Sequence, residues 1–140
     1  MTNQMTATDG QAMSDRSLAA RTQRWIVTLH MAALAAQVVF ALLLLGGGSS
    51  AIQLHFTHSW VVLTLGALQA IVAISSWPGG SLWKVAAALV VLAEITQIYL
   101  GRTGNLPAHV TLGTVLWGLS LALLIQVWAP GWGRQLPSAS

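Results

Sequence analysis

Four stretches of almost uninterrupted apolar side chains dominate this chain, and each is about as long as a bilayer is thick. They run from about Trp25 to Leu45, Leu54 to Trp77, Leu82 to Leu100 and Pro107 to Ala129. At about 1.5 Å of rise per residue, roughly 20 helical residues cross a hydrocarbon core of about 30 Å. Inside that core a backbone must satisfy its own N–H and C=O groups, so each stretch reads as a transmembrane helix. A water-soluble fold is excluded from the other side. Soluble domains carry roughly a quarter charged residues, whereas here 6% are charged and 55% are hydrophobic.

The breaks between the runs are short. Pro78-Gly79-Gly80 stops the second, Gly101-Arg102-Thr103-Gly104-Asn105 the third and Pro130-Gly131 the fourth, while Gly46 to Ala51 links the first two. Proline cannot continue a helix interior, but Pro107 in a first turn loses no hydrogen bond. Short links force neighbouring helices to run antiparallel, which predicts an all-α, up-down-up-down four-helix bundle over 24–130. Residues 1–23 are polar and without apolar periodicity, so they read as a disordered cytoplasmic tail; 131–140 form a second short tail.

Charge reports topology. With the N-terminus inside, Arg16, Arg21, Arg24, Lys84 and Arg134 are cytoplasmic and only Arg102 is outside, the bias expected of a chain with both termini in the cytoplasm. Trp25, Trp77, Trp83, Trp128 and Trp132 fall at the same boundary, where indoles prefer to sit. The reading is a multi-pass protein of the plasma membrane, with the lipid bilayer as its first partner. No basic stripe of the kind that tracks phosphates is present, so nucleic acid is not a partner. The absence of cysteine removes disulfides, thiolate metal sites and thiol nucleophiles.

Polar residues within the runs are costly in lipid and should face the bundle interior. His30 and Gln37 mark the first helix, His55, His58, Gly66 and Gln69 the second, Glu94 and Gln97 the third, and His109, Gly113 and Ser120 the fourth. Counted from the expected helix starts, His58 and His109 lie about 6 and 5 Å below the outer boundary. Their helices are diagonal, about 13 Å apart when adjacent axes are 8 to 10 Å apart. That gap suits a metal macrocycle with one imidazole on each face, Gly66 and Gly113 giving it room. The bland alternative is that these histidines only bond carbonyls or headgroup water. His55, one turn from His58, is a substitute ligand, a partner of the ligand, or a surface residue. His30 sits about 15 Å from that level and cannot reach the same metal.

Glu94 is the only acid in any apolar run. It reads either as a proton relay or histidine partner, or as a group bonding Gln37, Gln69 or Gln97 between helices. Arg102 is either a partner for a ligand carboxylate or a loop cation at the headgroups. Tyr99 and Trp117 read as packing. No Ser-His-Asp, HExxH, GxGxxG or P-loop pattern occurs, and one carboxylate cannot make an acid/base pair, so a stand-alone enzyme is not expected.

Several of these pieces together resemble one half of the heme A synthase family, whose members are two tandem four-helix bundles. They are Leu29-His30-Met31, the histidine of Thr57-His58-Ser59, Gln97-Ile98-Tyr99-Leu100-Gly101, and Leu106-Pro107-Ala108-His109 followed by Gly113. The likeness covers about residues 24 to 129. It implies heme b held between histidines of the second and fourth helices, here His58 and His109. Only one such half is present, and its first link lacks the family's acidic and cysteine residues, so heme A synthesis is not implied. The expected function is a small b-type heme protein for electron transfer or heme handling, alone, as a homodimer or within a larger membrane complex. Two alternatives stand beside it: a cofactor-free accessory or scaffold subunit, and a proton-coupled membrane protein centred on Glu94.

Overall fold

The computed structural model describes residues 2–48, 50–76 and 81–129. Four helices make up the described chain: α1 (Thr2–Leu45), α2 (Ala51–Ser76), α3 (Ser81–Arg102) and α4 (Leu106–Trp128). The links are made as their residues dictate. Gly47 and Gly104 take positive φ values of 87° and 74°, which glycine adopts at no steric cost. Asn105 caps α4, its side-chain oxygen accepting from the Ala108 N–H, with Pro107 in the first turn.

Each helix packs on two others. α1 lies against α2 and α4, and α3 lies against α2 and α4, while among the described residues neither diagonal pair comes together along the backbone. This is the four-helix bundle expected of the short links. All four helices are long and apolar enough to span a membrane, the stretch of α1 concerned being Leu18–Leu45. Leucine, isoleucine and valine side chains point outward from every helix, among them Leu42, Ile71, Leu92 and Ile125. In water such a surface would aggregate; in lipid it is solvated. The protein is a multi-pass membrane protein.

The helix begins earlier than the sequence suggests. The stretch 2–23, read as a disordered tail, continues α1 without a break. It contains no proline, and alanine, methionine, glutamine and arginine all favour helix. α2 also begins three residues, close to one turn, before the expected start at Leu54. Trp77, the Pro78-Gly79-Gly80 stop, Pro130-Gly131, Trp132, Arg134 and the tail 131–140 lie outside the described residues.

At the end of the bundle away from the described links, Trp25 and Trp128 meet edge to face at 6.3 Å, as their shared predicted boundary requires. The Arg24 Nε donates to the Val127 carbonyl at 2.8 Å, and the Trp128 indole N–H donates to Thr28 Oγ1 at 3.1 Å. The core is built of small and branched residues: Ala70, Ala73, Ala87, Val90, Leu123 and Val127 are buried together. Lipid is as apolar as leucine, so burying these residues against one another supplies little drive for helices to associate; close packing and interhelical hydrogen bonds must supply it. The bonds that do so are concentrated in two layers.

Candidate functional site

The upper layer, at the end carrying the α1–α2 and α3–α4 links, contains the same clasp twice. Gln37 on α1 donates its side-chain N–H to the His55 carbonyl at 2.8 Å, and His55 Nδ1 donates to the Gln37 carbonyl at 3.3 Å. Gln97 on α3 does the same with α4: its Nε2 donates to the His109 carbonyl at 2.8 Å, and His109 Nδ1 donates to the Gln97 carbonyl at 3.0 Å. A carbonyl can only accept, so each Nδ1 carries a proton, and in the neutral ring it is Nε2 that keeps the lone pair. The clasp therefore fixes tautomer and ring orientation together, the arrangement that prepares an imidazole to bind a metal.

The rings of these two histidines are neighbours. Although α2 and α4 are diagonal, the His55 and His109 ring centres are 6.1 Å apart, with an angle of 68° between ring planes. Beside them lies a cavity of about 450 Å³, lined by residues of all four helices, His55, His109, Gln37, Gln97 and Glu94 among them. Leu42 and Leu45 of α1 and Val110 and Trp117 of α4 also line it and are exposed, so it opens between α1 and α4 onto the lipid-facing surface. Trp117, expected to serve only in packing, is thus part of the cavity wall.

The geometry pairs His109 with His55 rather than with His58, the partner the sequence suggested. His58 Nδ1 donates to the Gln37 side-chain oxygen at 2.8 Å, and its ring stands edge-on to Phe40 at 5.1 Å. The cause is the earlier start of α2, which lowers both histidines by close to a turn and brings His55 to the level of His109. His55 is four residues into its helix and His109 three.

The glycines serve a different purpose from the one expected. A Cβ on Gly66 would overlap the Glu94 carboxylate, and one on Gly113 would stand 2.7 Å from the Gln97 side-chain nitrogen. The space they leave is taken by polar side chains of α3. Arg102 lies at the end of α3 with its guanidinium over the Phe56 ring at 4.5 Å.

The lower layer is fully buried. His30 Nε2 lies 2.6 Å from Glu94 Oε1, and His30 Nδ1 donates to the Gln69 side-chain oxygen at 2.9 Å. The exposure of His30, Gln69 and Glu94 is 0, 1 and 2%. A carboxyl group in such a place must be paired, and it is paired with the histidine rather than with Gln37, Gln69 or Gln97. The second oxygen, Glu94 Oε2, has no hydrogen-bond partner among the described residues, and neither has Gln97 Oε1.

Residue order alone did not announce the clasps. The signal was present as an internal repeat: Gln37-Val38-Val39-Phe40-Ala41 and Gln97-Ile98-Tyr99-Leu100-Gly101 share a pattern, and each precedes a histidine on the next helix. Among the described residues no group of three or more histidine, aspartate and glutamate side chains is placed to hold a metal ion; the upper layer offers two imidazoles. No protein-family model matches the chain, and neither does any curated protein or solved structure.

Proposed function

We propose that this is a small heme-binding membrane protein that carries electrons, in which His55 and His109 would hold the iron of a b-type heme. One observation carries the reading. Two imidazoles joined to one metal by bonds of about 2 Å hold their ring centres about 6 Å apart, and these stand at 6.1 Å with Nε2 of each left open by its clasp. The donor set fits a heme iron, and the mostly apolar cavity beside it has the size and character of a cofactor site.

Held by two imidazoles, such a group would supply one-electron exchange. The chain's contribution is to orient both rings through Gln37 and Gln97, to keep water out with the walls of the bundle, and to present Arg102 at the outer end of α3 for an acidic heme substituent. One chain supplies both ligands, so this reading needs no second copy. The five-to-one distribution of Lys and Arg supports both termini in the cytoplasm, and the membrane of this reading is the plasma membrane.

The test is the absorption spectrum of protein purified in detergent after expression with ample heme. A Soret band with the sharp reduced bands of six-coordinate heme is expected, lost in His55→Ala and in His109→Ala and retained in His58→Ala. A colourless wild-type protein would leave the scaffold reading in its place. Pigment lost in His58→Ala but kept in His55→Ala would move the ligand back one turn.

A further inference from the structure

The buried polar groups do not end at the clasps; they continue toward the other end of the bundle. Gln97 is three residues, one turn of α3, from Glu94, whose carboxyl reaches both the cavity and His30. His30 in turn contacts Gln69. Seven residues further down α1, about 10 Å along the axis, Gln23 is 2% exposed with both side-chain polar atoms unpartnered among the described residues. The hydroxyl of Ser120 on α4 is likewise buried and unpartnered, as is Gln69 Nε2. Buried polar atoms left without protein partners are where internal water binds. Gln69, His30 and Glu94 are thus joined to one another and, through Glu94, to the cavity, while Val27, between His30 and Gln23 on α1, is buried apolar core.

We infer that His30 and Glu94 form a proton-holding site that takes up one proton when the site at His55 and His109 is reduced by one electron. The inference rests on the heme reading. In the oxidised protein the close His30–Glu94 contact holds one shared proton, besides the Nδ1 proton given to Gln69, and the pair is neutral overall. A membrane-embedded one-electron reductant adds a negative charge to the upper layer, where the low dielectric screens it poorly. A second proton on the pair, giving imidazolium and carboxylic acid, offsets that charge.

Little else titrates nearby. α2 faces the pair with Gly66 and Gln69, and its titratable residues are His55 and His58 in the upper layer; α4 has His109 alone. On α3 the other ionisable groups are Tyr99, between one and two turns from Glu94, and Lys84 and Arg102, more than two turns away, and on α1 the nearest to His30 is Arg24, bonded to Val127.

The experiment is a mediated redox titration of the purified holoprotein between about pH 5 and pH 8, followed by optical absorption. The wild-type midpoint potential should fall with rising pH, approaching about 59 mV per unit where one proton accompanies one electron. Glu94→Gln should flatten the dependence. A reduced-minus-oxidised infrared spectrum should contain a carboxyl C=O band that Glu94→Gln removes. A wild-type potential independent of pH, with pigment present, overturns this inference and leaves the heme reading standing; that result needs no variant to fold. Absence of pigment overturns both.

Discussion

The carboxyl group of Glu94 lies against the backbone of Gly66, so close that a single methyl group at that position would collide with both of its oxygens. Glycine on α2 and glutamate on α3 are therefore one structural unit, and the contact sets how far the acid can move from His30.

Replacing Gly66 by alanine should push the carboxyl off His30 and destabilise the bundle by about 1 to 3 kcal/mol, the usual cost of overpacking. Gly118→Ala, with nothing within 4 Å of the new Cβ, should be neutral or slightly stabilising, since alanine favours helix by about 0.5 to 1 kcal/mol. Unfolding of both variants in mixed micelles measures the difference; equal effects would contradict the packing described.

His30→Ala leaves Glu94 buried without its partner. A loss of about 3 to 5 kcal/mol is expected. Adding Glu94→Leu should restore most of it, because the exposed cost is that of the unpaired acid. A double-mutant cycle on the same unfolding assay gives the coupling, and additive losses would show that the two side chains do not act as a pair.

Gln37→Leu and Gln97→Leu each undo one clasp. Interhelical hydrogen bonds in membranes average about 0.6 kcal/mol, so each variant should remain folded. Heme affinity should fall about 10- to 100-fold, as when a metal-bound histidine loses the group that orients it. Heme titration of apoprotein reads this directly, and unchanged affinity in both variants would remove the clasp from the site.

Topology can be read without background because the chain has no cysteine. Thr103→Cys, in the α3–α4 link, should react with a membrane-impermeant maleimide on intact cells, whereas Ser17→Cys should react only after lysis. The reverse pattern would invert the orientation inferred from the arginines.

Architecture was legible from the sequence because bilayer thickness imposes helix length, and Gly and Pro mark the links with little ambiguity. The polar residues of the interior were legible as a set for the same reason: lipid gives them nowhere else to point. Their pairing was not. Which of His55 and His58 meets His109 depends on where α2 starts, and three residues of extra helix, from Ala51 to Gln53, rotate and lower the whole stripe. Gly66 and Gly113 read as space for a flat ligand, since a missing side chain cannot announce which neighbour will fill its place. The His30–Glu94 pair joins residues 64 positions apart on different helices, a meeting that helical spacing on either helix alone does not specify.

The two clasps are alike, but their surroundings are not. Three residues before each clasp glutamine the chain has Leu34 in one hairpin and Glu94 in the other, and both border the cavity. A planar guest gripped between matched imidazoles could be inserted either way up, giving a mixture of two rotational isomers. With hydrocarbon along one margin and an acid along the other, those two insertions would differ in energy, and an unsymmetrical macrocycle bound there would be sorted into a single facing.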